Sequence, residues 1–298
     1  MKVELHCHST NSDGEWTVKE LLMSAEEKGI KLLSITDHDN LNGSIEAFNL
    51  KSDYFSGELI PGIEISTKIL ENTVHLLAFF PTINIEPESE LIKSLYKIQD
   101  SRTYRMKEMI TKANSFGFDV SFEEVLEIAG KSIDGEAQPT DILSRPHLGR
   151  LLIKKGYCKD MNEAFDKYLS PGKPIHVGRF SLTFNEWIEQ IKNQHGIIIW
   201  AHPLFGNDEN INKLMEKGEL LKKSKIDGLE RIYKYEGKYP VNPEFIKLGN
   251  QYLDKIVKES NWLITAGGDF HGDVGSFGEL ELSKLDVDKF KNRLFTND

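Results

Sequence analysis

Cysteine is nearly absent from this chain of 298 residues: only Cys7 and Cys158 occur, far apart and in no C-x-x-C spacing. That excludes a disulfide framework and a thiolate zinc site, and a reducing cytoplasm is the expectation. Long apolar runs are missing too. No segment approaches the roughly 18 residues of a membrane span, and the first ten residues lack the apolar core of a signal peptide, so no membrane role is expected. Positive charge is in deficit, with 37 Lys and Arg against 47 Asp and Glu for a net charge of −10. A broad footprint for long duplex nucleic acid is thereby excluded, while a small or single-stranded substrate held by local positive charge stays open. There is no internal repeat and no low-complexity tract.

What is present is an alternation of short apolar runs and amphipathic stretches. Val3-Glu4-Leu5-His6-Cys7-His8 alternates at period two and predicts a strand with both histidines on one face. Thr17-Val18-Lys19-Glu20 has the form of a capping box, and Leu21, Leu22 and Ala25 carry a helix to a stop at Gly29. The unit recurs as a strand over 31–36 and a helix near Ile45, with further strands predicted over 58–66 and 73–80. From 87 to 172 the texture changes. Leu91, Leu95, Ile98, Met106, Met109, Ile110 and Ala113 recur at helical spacing, Ser121 to Glu124 forms a second capping box, and the polar stretch 131–140 reads as a mobile loop. Alternation then resumes, with helices near 184–195, 208–223 and 243–260 and strands over 196–200, 226–232 and 262–266. This pattern predicts an α/β fold with a parallel sheet, closed or nearly closed as a barrel, and a functional site at the C-terminal strand ends. The domain organisation expected is a barrel formed by 1–86 and 173–298, interrupted by a helical insertion over 87–172.

Histidines and carboxylates fall at those strand ends. His6, His8, His38, His75, His202, Asp269 and His271 lie on or just after predicted strands, and Asp13 lies in the loop after the first. Glu64 sits between Ile63 and Ile65, so its side chain faces opposite to theirs. A carboxylate or imidazole among apolar strand residues needs a partner, and a bound cation compensates the charge that burial penalises. Singly, each has a plainer role: His75 as a satisfied core histidine, Asp13-Gly14 as a turn, His6-x-His8 as an exposed edge. Period-two spacing, repeated in Asp269-x-His271, lets two side chains chelate one ion. Nine such residues at the strand ends of one chain are hard to reconcile with independent structural roles, and they point to a metal site.

In order and spacing, His6-Cys7-His8-Ser9, Ser12-Asp13-Gly14, Thr36-Asp37-His38-Asp39, Gly62-Ile63-Glu64-Ile65-Ser66, Val74-His75-Leu76-Leu77, Ala201-His202-Pro203 and Gly268-Asp269-Phe270-His271-Gly272 resemble the PHP (polymerase and histidinol phosphatase) family over nearly the whole chain. Within it the chain is most similar to the branch that removes the 3′-phosphate from nucleoside 3′,5′-bisphosphates and trims short RNA from the 5′ end. Arg145-Pro146-His147-Leu148-Gly149-Arg150 and Tyr168-Leu169-Ser170-Pro171-Gly172 carry that narrower resemblance. Two positions depart from the family pattern: Gly268 stands where serine usually precedes the aspartate, and Arg231 stands where an apolar residue usually follows Glu230. Neither removes a ligand.

The resemblance implies a distorted (β/α)7 barrel of the PHP type with a helical insertion, and two to three divalent ions of manganese, iron or zinc. It implies that His6, His8, Glu64 and Asp269 hold one ion, Glu64 with His75 and His202 a second, and Asp13, His38 and His271 a third. The chemistry implied is hydrolysis of a phosphate ester by a hydroxide that the ions activate, with Asp13, His38, Glu64 and His271 at its catalytic heart. Arg145, His147 and Arg150, at the start of a predicted helix, are candidates for gripping a second phosphate, against a plainer place on a solvated helix face. Asp37 or Asp39 is a candidate for orienting a ligand histidine, against a turn-capping role. The expected partner is a small phosphorylated substrate, a nucleotide or short RNA. Alternatives that remain open are a histidinol-phosphate phosphatase or polymerase-associated exonuclease, an amidohydrolase or deaminase, and a non-enzymatic scaffold or sensor module. The extra ligands Asp13, His38 and Glu64 speak against the amidohydrolase, and the full ligand set speaks against the scaffold.

Overall fold

The computed structural model describes residues 1–69, 72–129, 143–178, 180–235, 242–272 and 275–296; the stretch read as a mobile loop, 131–140, lies outside them. The chain opens with β1 (Lys2–Cys7), α1 (Val18–Glu27), β2 (Leu32–Ile35), α2 (Asn42–Tyr54) and β3 (Glu58–Leu59). Thr17 caps α1 through the reciprocal bonds with Glu20 that the sequence predicts. Next come β4 (Gly62–Ile69) and β5 (Asn72–Phe79), then the helices α3 (Glu90–Ser115), α4 (Phe122–Ile128), α5 (Arg145–Lys154) and α6 (Met161–Ala164), which runs into a π-helical turn at Phe165–Leu169. The last part is α7 (Phe184–Asn193), β6 (Ile197–Trp200), α8 (Ile211–Lys222), β7 (Gly228–Ile232), α9 (Pro243–Ser260), β8 (Leu263–Ala266), β9 (Leu280–Glu281) and α10 (Lys284–Thr296).

The strands form two sheets, ordered β3-β2-β1-β9 and β4-β5-β6-β7-β8. The fold is mixed α/β as expected, but its sheets correct the expectation of a parallel, closed barrel. The strand predicted over 58–66 is divided between β3 and β4, and β4 and β5 form an antiparallel hairpin with Ile69 opposite Asn72. Only two residues separate Ile69 from Asn72, too few for the crossover that parallel strands need. As a result β5 also runs antiparallel to β6, while β6, β7 and β8 are parallel. Among the described residues the ladders do not close; isolated bridges at Cys7–Phe270 and His38–Glu64 join the two sheets where the site lies.

Burial follows the strand period. Ile197 and Ile199 of β6 pack with Leu77, Phe79, Val3, Leu5 and Phe290 in one core, whereas Ile198 and Trp200 face Trp187, Ile191 and Leu229 in another. Both faces are covered, which is why β6 reads as an unbroken apolar run. A third core belongs to the helices, with Met106, Met109, Val125, Leu148, Leu151 and Leu152 buried together. β9 and α10 escaped the sequence reading. β9 is too short to show a period, but Val287, Phe290 and Leu294 of α10 are buried at helical spacing behind a Ser283 hydroxyl that accepts from the Asp286 amide at 3.1 Å, a signal that was there to find.

Phe290 is fully buried and meets Phe79 edge to face at 5.2 Å. Replacing it with alanine is expected to cost about 3–5 kcal/mol in urea unfolding. A loss below about 1 kcal/mol would show that α10 is not part of the core.

Candidate metal centre

The ends of β1, β2, β6 and β8 and the middle of the β4–β5 hairpin converge on one point. Glu64 lies at its centre, fully buried. Its Oε2 is 3.3 Å from Nε2 of His6, 3.2 Å from Nε2 of His8 and 3.0 Å from Nδ1 of His38. Its Oε1 is 2.9 Å from Nδ1 of His75 and 3.2 Å from Nε2 of His202. The two oxygens thus face different sets of nitrogens. Asp269 Oδ1 stands 3.5 Å from His6 Nε2 and 3.3 Å from His8 Nε2, and Asp13 Oδ1 stands 3.3 Å from His271 Nε2.

These contacts resolve into three donor groups: His6, His8, Glu64 and Asp269; Glu64, His75 and His202; and His8, Asp13, His38 and His271. All nine residues singled out in the sequence are brought together, and His8 joins the third group as well as the first. Whether the groups suit cations is decided by their unpaired atoms. His6 Nε2, His8 Nε2, His38 Nδ1, Glu64 Oε2 and Asp13 Oδ1 are buried without a hydrogen-bond partner. Buried polar atoms left in this way are costly. Atoms about 2.0–2.2 Å from one ion stand about 3–3.5 Å from each other, which is the spacing found here. The donor set fits.

Local structure sets the histidine tautomers. His6 Nδ1 lies 3.1 and 3.2 Å from the two oxygens of Glu230, itself fully buried, so Nδ1 carries the proton and Nε2 keeps its lone pair for the centre. His271 Nδ1 lies 3.0 Å from the carbonyl of Asp269, leaving Nε2 toward Asp13. Asp37 accepts from the Ser9 amide at 2.8 Å and from the Ser12 hydroxyl at 2.5 Å, and that hydroxyl is 3.5 Å from His8 Nδ1. Asp37 therefore reaches His8 through Ser12. Asp39 instead pairs with the buried Arg102 of α3, while its own amide donates to the Glu64 carbonyl at 2.9 Å. Backbone strain collects at the same place, where Asp39, His202 and Asp269 have φ of 55°, 26° and 49°.

Charge is finely balanced. Burial disfavours ionised Glu64, but the surrounding His38, His6 and His75 hold its carboxyl well below the usual range, and Asp13 is held low against burial by His38 and His271. Burial likewise opposes protonation of His8, yet the carboxylates of Asp269 and Glu64 beside it lift it to about 9, and Glu230, Glu64 and Asp269 raise His6 in the same way. His38 goes the other way, pushed down to about 3 by burial. Protons on His6 and His8 are the counter-charge that a bound cation would displace, since imidazole must be neutral to ligate.

Two residues the sequence reading passed over serve the frame. Glu4, buried in the same alternation as His6, accepts from the amides of Gly268 at 2.7 Å and Gly278 at 3.0 Å and so ties β1 to the loop bearing Asp269 and His271. Burial pushes its pKa up to about 8. Arg102 was hidden in a helix otherwise read for its apolar face. Both departures from the family pattern also find their place. A Cβ on Gly268 would fall 1.6 Å from the Ser276 carbonyl oxygen, and Arg231 turns away to pair with Asp254 of α9 at 2.7 and 3.1 Å.

Fold and donor set point to one family. The chain belongs to the PHP domain family, whose model matches residues 4–170. It is similar to a 3′,5′-nucleoside bisphosphate phosphatase of Chromobacterium violaceum, at 29% identity over 67% of this chain and 66% of that one, just under two thirds of the relative's length. A 5′-3′ exoribonuclease of Haemophilus influenzae is 28% identical over 92% of this chain and 91% of its own. Among solved structures, a Bifidobacterium adolescentis protein provisionally assigned as a metal-dependent phosphoesterase superposes with a TM-score of 0.79 over 97% of this chain and 95% of that one, at 24% identity, a likeness of fold. No helix among the described residues is long and apolar enough to cross a membrane.

Purified protein is expected to carry more than one divalent ion per chain by elemental analysis, and Glu64→Gln, which spares the shape but removes the shared charge, to retain less than half of that content. His8→Ala is expected to abolish turnover with the circular dichroism spectrum intact. Full ion content in Glu64→Gln, or full activity in metal-free protein, would contradict the assignment.

Proposed function

We propose that the protein hydrolyses the 3′-phosphate of nucleoside 3′,5′-bisphosphates or trims short 5′-phosphorylated RNA, with His6, His8, Asp13, His38, Glu64, His75, His202, Asp269 and His271 holding the ions. The names of the two relatives support this substrate class. The observation that carries it is a knot of positive charge in an acidic protein: burial and the charges of Arg105, Arg145, Lys112 and Lys68 together lower the pKa of His176. Arg105 lies one helical turn beyond Arg102, the residue of α3 that pairs with Asp39 beside the centre, and it donates to the Val177 carbonyl at 2.8 Å. A second anion held there would lie on the helical side of the cluster.

Bound divalent ions supply Lewis acidity, lowering the pKa of water and neutralising the phosphoryl oxygens. The chain's own residues do the rest. Arg145 opens α5, its guanidinium anchored by the Leu169 carbonyl at 3.3 Å and by the ring of Phe165; on this reading it and Arg105 grip the phosphate that is not cleaved. His147 is buried, with Nδ1 taken up by the Ser144 amide at 3.2 Å, and shapes the start of that helix. Arg150 reaches the Asp13 carbonyl and Glu15, fastening α5 to the loop that bears a ligand. We read 87–172 as a helical insertion that covers the site in this way.

Arg145→Ala is expected to raise KM for a nucleoside 3′,5′-bisphosphate about tenfold or more, the worth of a charge-assisted bond, and KM for an aryl phosphate by less than about twofold. Equal effects on both would remove the second phosphate site. A kcat/KM higher for histidinol phosphate than for the bisphosphate would move the protein to a different branch of the family.

A further inference from the structure

β7 contributes nothing to the three donor groups, yet it lies between β6 and β8, whose ends bear His202 and Asp269. Two of its polar groups reach ligands on three different elements. Glu230 accepts from the His202 amide at 2.8 Å while its oxygens hold His6 Nδ1 across the centre. Just past the strand, the Tyr233 hydroxyl donates to Asp269 Oδ2 at 3.1 Å. The other oxygen of that carboxylate, Oδ1, is the one facing His6, His8 and His271 Nδ1, at 3.5, 3.3 and 3.6 Å.

We propose that β7 is the positioning strand of the metal centre, with Glu230 fixing the tautomer of His6 and the backbone of His202, and Tyr233 selecting which oxygen of Asp269 faces the ions. The inference rests on reading the nine donors as a metal site and is independent of the choice of substrate. A carboxylate has two equivalent oxygens and a freely turning plane, so a single donor on one of them decides which lone pairs are left. Such a donor is useful only if it cannot move. The ring of Tyr233 is wedged perpendicular to Phe205 at 5.5 Å, tilted on Tyr235 at 4.6 Å and edge-on to His202 at 6.0 Å. Asp269 also has a strained backbone, with φ of 49°, and its amide is tied to the His6 carbonyl at 2.8 Å. The His6 carbonyl thus holds the main chain of Asp269, and Tyr233 acts on the rotation of its carboxylate.

Metal-depleted full-length protein titrated with Co²⁺ tests this, read by calorimetry and by the visible bands, which report the ligand set. Tyr233→Phe deletes one oxygen and keeps the wedged ring. It is expected to weaken Co²⁺ binding at one site or more by about 10–100-fold and to alter the bands, while the Tm of the metal-free protein moves by only a few degrees. Glu230→Gln, which carries the test should the first variant not fold, is expected to do the same. Co²⁺ affinities and bands equal to wild type in both variants, with or without a lower Tm, would mean that β7 is merely structural and would overturn the proposal. Failure of the wild type itself to take up Co²⁺ would overturn the metal centre and the inference with it, an outcome distinct from variants that bind as well as wild type.

Discussion

A fully buried carboxylate with imidazole nitrogens 2.9–3.3 Å from both of its oxygens sets the terms for the rest of this molecule. Taken alone, the charge of Glu64 would not survive burial. It does so because strands from both sheets deliver compensating groups to one point, and each strand must end in register for that to happen. The hairpin of β4 and β5 places Glu64 and His75 on one face, the bridge between His38 and Glu64 holds the second strand's loop against it, and the amide of Asp269 docks on the carbonyl of His6. Apolar residues on both faces of β5 and β6 then lock that register, since a slip of one residue would exchange buried and site-facing positions.

Much of this was legible in the sequence because period-two alternation decides side-chain direction. His6 and His8, and Glu64 between its isoleucines, could be placed on a face before any contact was known. The helices were legible from caps and spacing, as at Thr17 and Ser121. Strand direction was not. Whether β5 runs with or against β4 depends on the length of a connection that carries no glycine or proline to announce a turn. The groups that hydrogen-bond to these side chains and their loops were hidden for a related reason. Glu4, Glu230 and Tyr233 look like ordinary residues on or beside strands until partners 28 to 274 positions away are known, as with Glu230 and His202 or Glu4 and Gly278. Arg102 was masked by the apolar pattern around it.

The proposed function rests on two charged regions. Negative charge gathered at the strand ends, three carboxylates among six histidines, calls for cations, and cations at such a point present a strong local positive field in a chain of net charge −10. The second positive region, around His176, gathers Arg105 and Lys112 of α3, Arg145 of α5 and Lys68 of β4. Under the proposed function the first region would hold the phosphate that reacts and the second a phosphate that only binds, so that binding energy gained at a distance would orient the reacting ester.

Anomalous diffraction from crystals loaded with Mn²⁺ tests the central claim most directly. The account predicts separate peaks within the three donor groups, with the two oxygens of Glu64 directed at different peaks. A single peak, or peaks that leave Glu64 without an ion on either oxygen, would contradict it.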